Sequence, residues 1–254
     1  MTNLLDVEGV SVAFGGVQAL DDVSISVPTG SVIGLIGPNG AGKTTLFNVI
    51  SGLQRADRGR IIFAGNDISD LPTHRRAALG IGRSFQNLGL INDETVETNL
   101  IAAQHLASRY KAWQVLAQPW RVGGDERRMR SRAHEVASAI GLADRLAVQV
   151  GDLSFGMARF VELACVQVER PPLMLLDEPT TGLDGGETVR LLELLRSQAA
   201  IGTTILLVAH DVRFVMDLCD YVYVLAEGRV LSHGEPRAVQ RDPLVIEAYL
   251  GRSA

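Results

Sequence analysis

The sequence predicts an α/β protein: a mostly parallel sheet, an N-terminal antiparallel β subdomain and an inserted helical subdomain. Three observations lead there. The stretches at residues 32–37, 173–176 and 203–209, the second of them continuously apolar, read as strands buried in a sheet. The first run enters a glycine-rich turn, Gly37 to Gly42, and then a helix opening at Lys43-Thr44-Thr45. Residues 95–150 change character, become helix-rich and hold both tryptophans, Trp113 and Trp120. The expected organisation is one domain over 1–254, with a core of 1–86 and 171–254 and a helical subdomain at 87–170.

The chain opens with alternating apolar runs at 4–14 and 23–27, expected to be antiparallel strands with turns at Asp21-Asp22 and Pro28-Thr29-Gly30. Phe14 closes the first run just before Gly15-Gly16. It could stack on an adenine ring or simply anchor the turn.

The stretch around Gly37-Pro38-Asn39-Gly40-Ala41-Gly42-Lys43-Thr44-Thr45 has the phosphate-loop spacing, with a strand before it and a helix after it. Glycines let successive N–H groups converge on an anion without Cβ clashes. The following helix aims its positive end at the same place. Lys43 supplies a mobile charge for the outer phosphates, and Thr44 a hydroxyl for Mg²⁺.

The helix is expected to stop near Gly52. A strand follows at 60–64, a turn at Gly65-Asn66-Asp67 and a short helix at 73–79. Ile81 to Gln86 reads as a strand. At its end, Gln86 could reach a metal ion or its water, or be a solvated loop residue. In the helix-rich region, Gly123-Gly124-Asp125-Glu126 reads as a link before an amphipathic stretch ending at Ile140 and Gly141. Arginines 121, 127, 128, 130 and 132 are interleaved with Asp125, Glu126 and Glu135, as on a solvated helix face. Ser154 is an N-cap candidate, with Gly156 allowing close approach in the first turn.

Leu173 to Leu176 then run into Asp177-Glu178. Carboxylates at the C-terminal end of a buried strand stand where open α/β sheets bind ligands. Asp177 can hold Mg²⁺ through water. Glu178 points to the other side of the strand, free to act as a base toward water. A helix at 186–200 and a strand at 203–209 bring His210 to the same sheet edge. A hairpin across Glu227-Gly228 and a short helical tail close the chain.

The 254 residues suffice for one large core with a small appended part. A net charge of −5 carries no basic footprint for nucleic acid. Cys165 and Cys219 imply neither a disulfide framework nor a zinc knuckle. The start, Met-Thr-Asn-Leu-Leu-Asp, has no signal-peptide pattern, and no 18-residue apolar run would span a bilayer.

Taken in order, these segments resemble the nucleotide-binding subunit of ABC transporters, a P-loop NTPase core, over nearly the whole chain. The resemblance implies ATP bound with Mg²⁺. Gly37, Asn39, Gly40, Gly42, Lys43, Thr44 and Thr45 belong to the phosphate loop, and Phe14 falls at the adenine-stacking position. Gln86 looks like the Q-loop glutamine, a metal contact with Thr44 and Asp177. Leu153-Ser154-Phe155-Gly156-Met157 is similar to the signature motif, so Ser154 and Gly156 would meet the partner's γ-phosphate. Glu178 matches the catalytic Glu, His210 the switch histidine, and Thr181-Gly182-Leu183-Asp184 the D-loop. Met157 departs from the usual Gln and is expected to weaken ATP affinity across the subunit pair.

Phe14-Gly15-Gly16, the stretch Gly80 to Asn87, and Val245-Ile246-Glu247-Ala248-Tyr249-Leu250-Gly251 resemble the ATPases of branched-chain amino-acid uptake systems. Phe155 and Asp184 differ from that subgroup's usual residues, and related importers carry amides or urea. The resemblance implies a second ATPase subunit (identical or not), integral membrane permease subunits, an extracytoplasmic solute-binding protein acting indirectly, and a place on the cytoplasmic face of the membrane. A soluble ABC ATPase acting on nucleic acid would typically bring two ATPase units, a coiled-coil insert or basic segments. A phosphate-loop kinase would leave residues 153–157 without a role.

Overall fold

The computed structural model describes residues 2–84, 89–107 and 119–250, with backbone alone at 105–107, 119–125 and 250. Strand β1 (Asn3–Phe14) turns through Gly15-Gly16 into β2 (Val17–Pro28). Along β1 the buried set shifts from Leu5 and Val7 to Val10 and Val12. A register break at Gly9, where φ is +59°, accounts for the shift. One extra residue in a strand moves every later side chain to the other face.

Asp21-Asp22, expected as a turn, instead lies inside β2. Asp22 has φ +55° and donates its N–H to Ser11 Oγ at 3.0 Å, while Asp21 N–H goes to Gly228 O at 2.8 Å. An irregular strand whose polar groups find partners continues pairing where local propensity reads a turn.

The next elements are β3 (Val32–Ile36), α1 (Lys43–Ser51), β4 (Arg58–Phe63), β5 (Asn66–Asp67), α2 (Thr73–Ala78) and β6 (Ile81–Arg83). The first sheet, β2-β1-β4-β5, is antiparallel throughout. Helices α3 (Val96–Ala107), α4 (Pro119–Ala139) and α5 (Phe155–Gln167) precede β7 (Leu173–Asp177). Then come α6 (Gly185–Ala200), β8 (Thr204–Val208), α7 (Val212–Leu218), β9 (Tyr221–Ala226), β10 (Arg229–Gly234), α8 (Pro236–Gln240) and α9 (Pro243–Leu250).

The second sheet runs β10-β9-β3-β8-β7-β6 and is parallel except for the β9–β10 hairpin. Every residue of β3, β7 and β8 is buried. Alternate side chains serve two cores, as a period of two requires. Ile33, Leu35, Leu175 and Leu206 pack with α1 and the antiparallel sheet. Val32, Ile36, Leu176 and Leu207 pack with α5, α6 and α7.

Helix α4 runs through Gly123-Gly124, where the sequence reads as a link. Each residue added to an existing helix gains a hydrogen bond without a new nucleation cost, so the amphipathic 126–139 stretch extends upstream across them. Arg127, Arg128 and Arg130 are exposed, with Arg130 3.7 Å from Glu126, whereas Arg132 is part-buried, donating to Val168 O at 3.1 Å and lying 2.8 Å from Glu135. Among the described residues no helix is long and apolar enough to cross a membrane.

Candidate active site

Strands β3, β6, β7 and β8 point the same way, so residues at their C-terminal ends share one edge. The loop after β3 is held by backbone geometry that glycine permits. Gly42 has φ +101°, and a Cβ there would stand 2.5 Å from Ala19 O. A Cβ on Gly37 would stand 2.0 Å from Leu225 O. Any larger residue would push the loop off its two neighbours. Asn39 and Gly40 are exposed at its tip, while Thr44 and Thr45 open α1.

Lys43 is buried, and its Nζ donates to the carbonyls of Gly37 at 2.7 Å and Pro38 at 2.9 Å. Burial lowers its pKa, opposed by the carboxylates of Glu178 and Asp177. A cation flanked by glycines and facing two carboxylates suits a polyphosphate carrying a divalent ion.

Asp177 closes β7 and is 1% exposed. Its Oδ2 lies 3.4 Å from Arg83 Nη2, whereas Oδ1 is buried with no hydrogen-bond partner among the described residues. Burial raises its pKa, Arg83 works against that, and Glu178 adds to it. An orphaned carboxylate oxygen is costly unless a cation or bound water completes it. Among the described residues no cluster of three or more His, Cys, Asp or Glu could hold a metal. A single buried carboxylate with an open oxygen is the kind of ligand Mg²⁺ takes together with waters and substrate phosphates.

Glu178 leaves the strand with φ +50°, a left-handed conformation rare for a residue with a side chain. Its N–H still bonds Val208 O at 2.8 Å, so the backbone turns sharply while anchored to β8. The carboxylate is thereby delivered to His210: Glu178 Oε1 lies 2.7 Å from His210 Nε2. Thr181 Oγ1 donates to Oε2 at 3.2 Å.

Ser154 caps α5, its Oγ accepting from Met157 N–H at 3.2 Å. Gly156 is buried beside α6, where a Cβ would meet the Glu187 carboxylate at 2.1 Å. Met157 turns into the larger core. Asp184 caps α6 in a reciprocal box with Glu187, with bonds of 2.7 and 3.0 Å. Phe14 is 49% exposed at the end of β1. Gln86 lies outside the described residues.

The structure therefore brings Lys43, Asp177, Glu178 and His210 to one sheet edge. Gly156 and Asp184 meet instead at the start of α6, with Ser154 capping the helix that carries Gly156. Sequence reasoning assigned no role to Arg83, whose guanidinium also donates to Asn48 Oδ1 at 2.9 Å and Ser51 Oγ at 2.6 Å. Its place three residues before Gln86 was the available signal. Thr181, also given no individual role, stood three residues after Glu178.

Comparison with known proteins finds two family models. One, described as ABC transporter, matches residues 20–181. The other, described as branched-chain amino acid ATP-binding cassette transporter, matches residues 229–254. The chain is 35% identical over 251 residues, 98% of each protein, to the high-affinity branched-chain amino acid transport ATP-binding protein LivG of Escherichia coli (strain K12). It is 33% identical over 251 residues, 99% of this chain and 98% of the relative, to the lipopolysaccharide export system ATP-binding protein LptB of Acidithiobacillus ferridurans. A crystal structure of a nucleotide-free ATP-binding cassette from an ABC transporter superposes with a TM-score of 0.87, at 30% identity, over 99% of this chain and 100% of that one.

Proposed function

The chain belongs to the ATP-binding subunits of ABC transporters, and from that we propose that it powers uptake of branched-chain or other hydrophobic amino acids through partner membrane subunits. It is an ABC-type ATPase. The C-terminal match at 229–254 and the likeness to LivG support the cargo reading. The likeness to an export ATPase, LptB, shows that this cassette type also serves other cargo.

The contact that carries the mechanism is the 2.7 Å approach of Glu178 to His210 beside the phosphate loop. We assign Glu178 to orienting and deprotonating the attacking water. His210 holds that carboxylate and supports the γ-phosphate. Lys43, with the N–H groups of the 37–45 loop, grips the β- and γ-phosphates. Thr44, Asp177 and Gln86 would hold Mg²⁺, which neutralises phosphate charge. Phosphoryl transfer needs little beyond positioning and charge stabilisation, and these residues supply both.

Phe14 would stack on the adenine. Ser154 and Gly156 would meet the nucleotide of a second ATPase subunit, identical or not, and Asp184 would sit at that junction. ATP drives closure of the pair only because the closed state binds it better. Integral permease subunits would seat the pair on the cytoplasmic face of the membrane, with a solute-binding protein delivering cargo from outside.

Reconstitution in vesicles with its permease subunits and solute-binding protein tests the reading. Leucine, isoleucine or valine should stimulate ATP hydrolysis and accumulate inside. Equal ATPase rates with and without each amino acid would reject the cargo.

A further inference from the structure

The first turns of α6 reach toward the segment carrying Ser154 and Gly156. Glu187 and Arg190 stand three residues apart and share a helix face. The Glu187 carboxylate lies against Gly156. Just before the helix, Gly182 lies under the Phe155 ring, where a Cβ would be 2.3 Å from a ring carbon.

Arg190 reaches furthest. Its guanidinium donates to the carbonyls of Ile140 and Gly141, the latter at 3.1 Å. These carbonyls follow the C-terminal end of α4, where acceptors are left without helical partners and the dipole is negative. The same guanidinium lies 4.7 Å over the ring of Phe160 in α5. One side chain of α6 thus ties together the end of α4 and the helix that Ser154 caps.

We propose that Arg190 is a positioning residue that sets the turn Ser154 to Met157 at the place where it meets a second subunit's nucleotide. The proposal rests on the two-subunit reading above. Arginine suits the task because its planar fork can donate along its edge while stacking by its face; lysine can do only part of this.

The test uses the Glu178→Gln protein, in which slowed hydrolysis lets an ATP-bound dimer accumulate. Adding Arg190→Ala should weaken ATP-dependent dimerisation by roughly 10-fold or more, the scale of losing charge-assisted hydrogen bonds. ADP binding to the monomer, which uses the phosphate loop of the same chain, should stay within about twofold, the spread expected for an untouched site. Arg190→Lys should fall between and carries the test if the alanine variant fails to fold. Dimerisation equal to that of Glu178→Gln alone, or ADP binding lost in the same proportion, overturns the proposal. Failure of Glu178→Gln itself to dimerise with ATP overturns the two-subunit reading and the proposal with it.

Discussion

Replacing Glu178 by Gln separates chemistry from binding. The amide keeps the size and shape of the carboxylate. Its carbonyl can still accept from His210 Nε2, now 2.7 Å from the carboxylate, while its NH₂ can donate to Thr181 Oγ1, now at 3.2 Å. The left-handed backbone at residue 178, φ +50°, is equally strained for either residue, so the strand end should hold its course. What is lost is the base that we assign to Glu178. Removing a positioned general base costs about 10²–10⁴ in rate, or roughly 3–5.5 kcal/mol of transition-state stabilisation.

ATP affinity should not fall. The change removes one of the two carboxylates facing Lys43, and hence a negative charge near the γ-phosphate. Phosphate release under saturating ATP, paired with calorimetric titration of ATP, reads the two effects separately. The expected result is tight ATP binding with hydrolysis reduced at least 100-fold, the lower bound for a general base. Hydrolysis within a few fold of the parent would move the base elsewhere. ATP binding lost along with hydrolysis would show that Glu178 supports the site's structure instead.

Two other substitutions probe the flanks of this site. Lys43→Ala removes the cation bonded to Gly37 O and Pro38 O, and ATP titration should show weakening of roughly 10-fold or more, as for loss of charged hydrogen bonds. Unchanged affinity would argue against a phosphate-binding role for the loop. Arg83→Met leaves the buried Asp177 carboxylate without its 3.4 Å counter-charge and should destabilise the fold by about 3 kcal/mol in urea unfolding, the scale for breaking a buried pair. A midpoint unchanged from the parent would mean that Arg83 matters little to Asp177.

The glycine-rich turn at 37–42 was legible because its requirement is local. Positive φ at Gly40 and Gly42 is a backbone demand that the residue type announces. The buried strands were equally open to reading, since β3, β7 and β8 carry no polar residue except Thr204 at the start of β8 and Asp177 at the end of β7. From their parallel order came the expectation that His210 and Glu178 end on one edge, and the structure puts them in contact.

Arg83 and Arg190 were not legible. Arg83 meets Asp177 across 94 residues of chain, and Arg190 reaches Ile140 across 50. A side chain's partner at such range is chosen by how sheets and helices pack, not by its neighbours in sequence. The course of α4 through Gly123-Gly124 and of β2 through Asp21-Asp22 failed as local readings for a related reason. Backbone hydrogen bonds from adjoining structure outweighed propensities of about 1 kcal/mol per residue.

Sequence by itself determined the chemistry: which residues can grip phosphate, which carboxylates stand at strand ends, and in what order they come. Tertiary structure alone decided their geometry. It buried one oxygen of Asp177 without a partner among the described residues, turned Glu178 onto His210, and set Gly156 against α6. The physical reason is that side-chain identity is written along the chain, whereas distance and burial arise only when segments far apart in it are packed together.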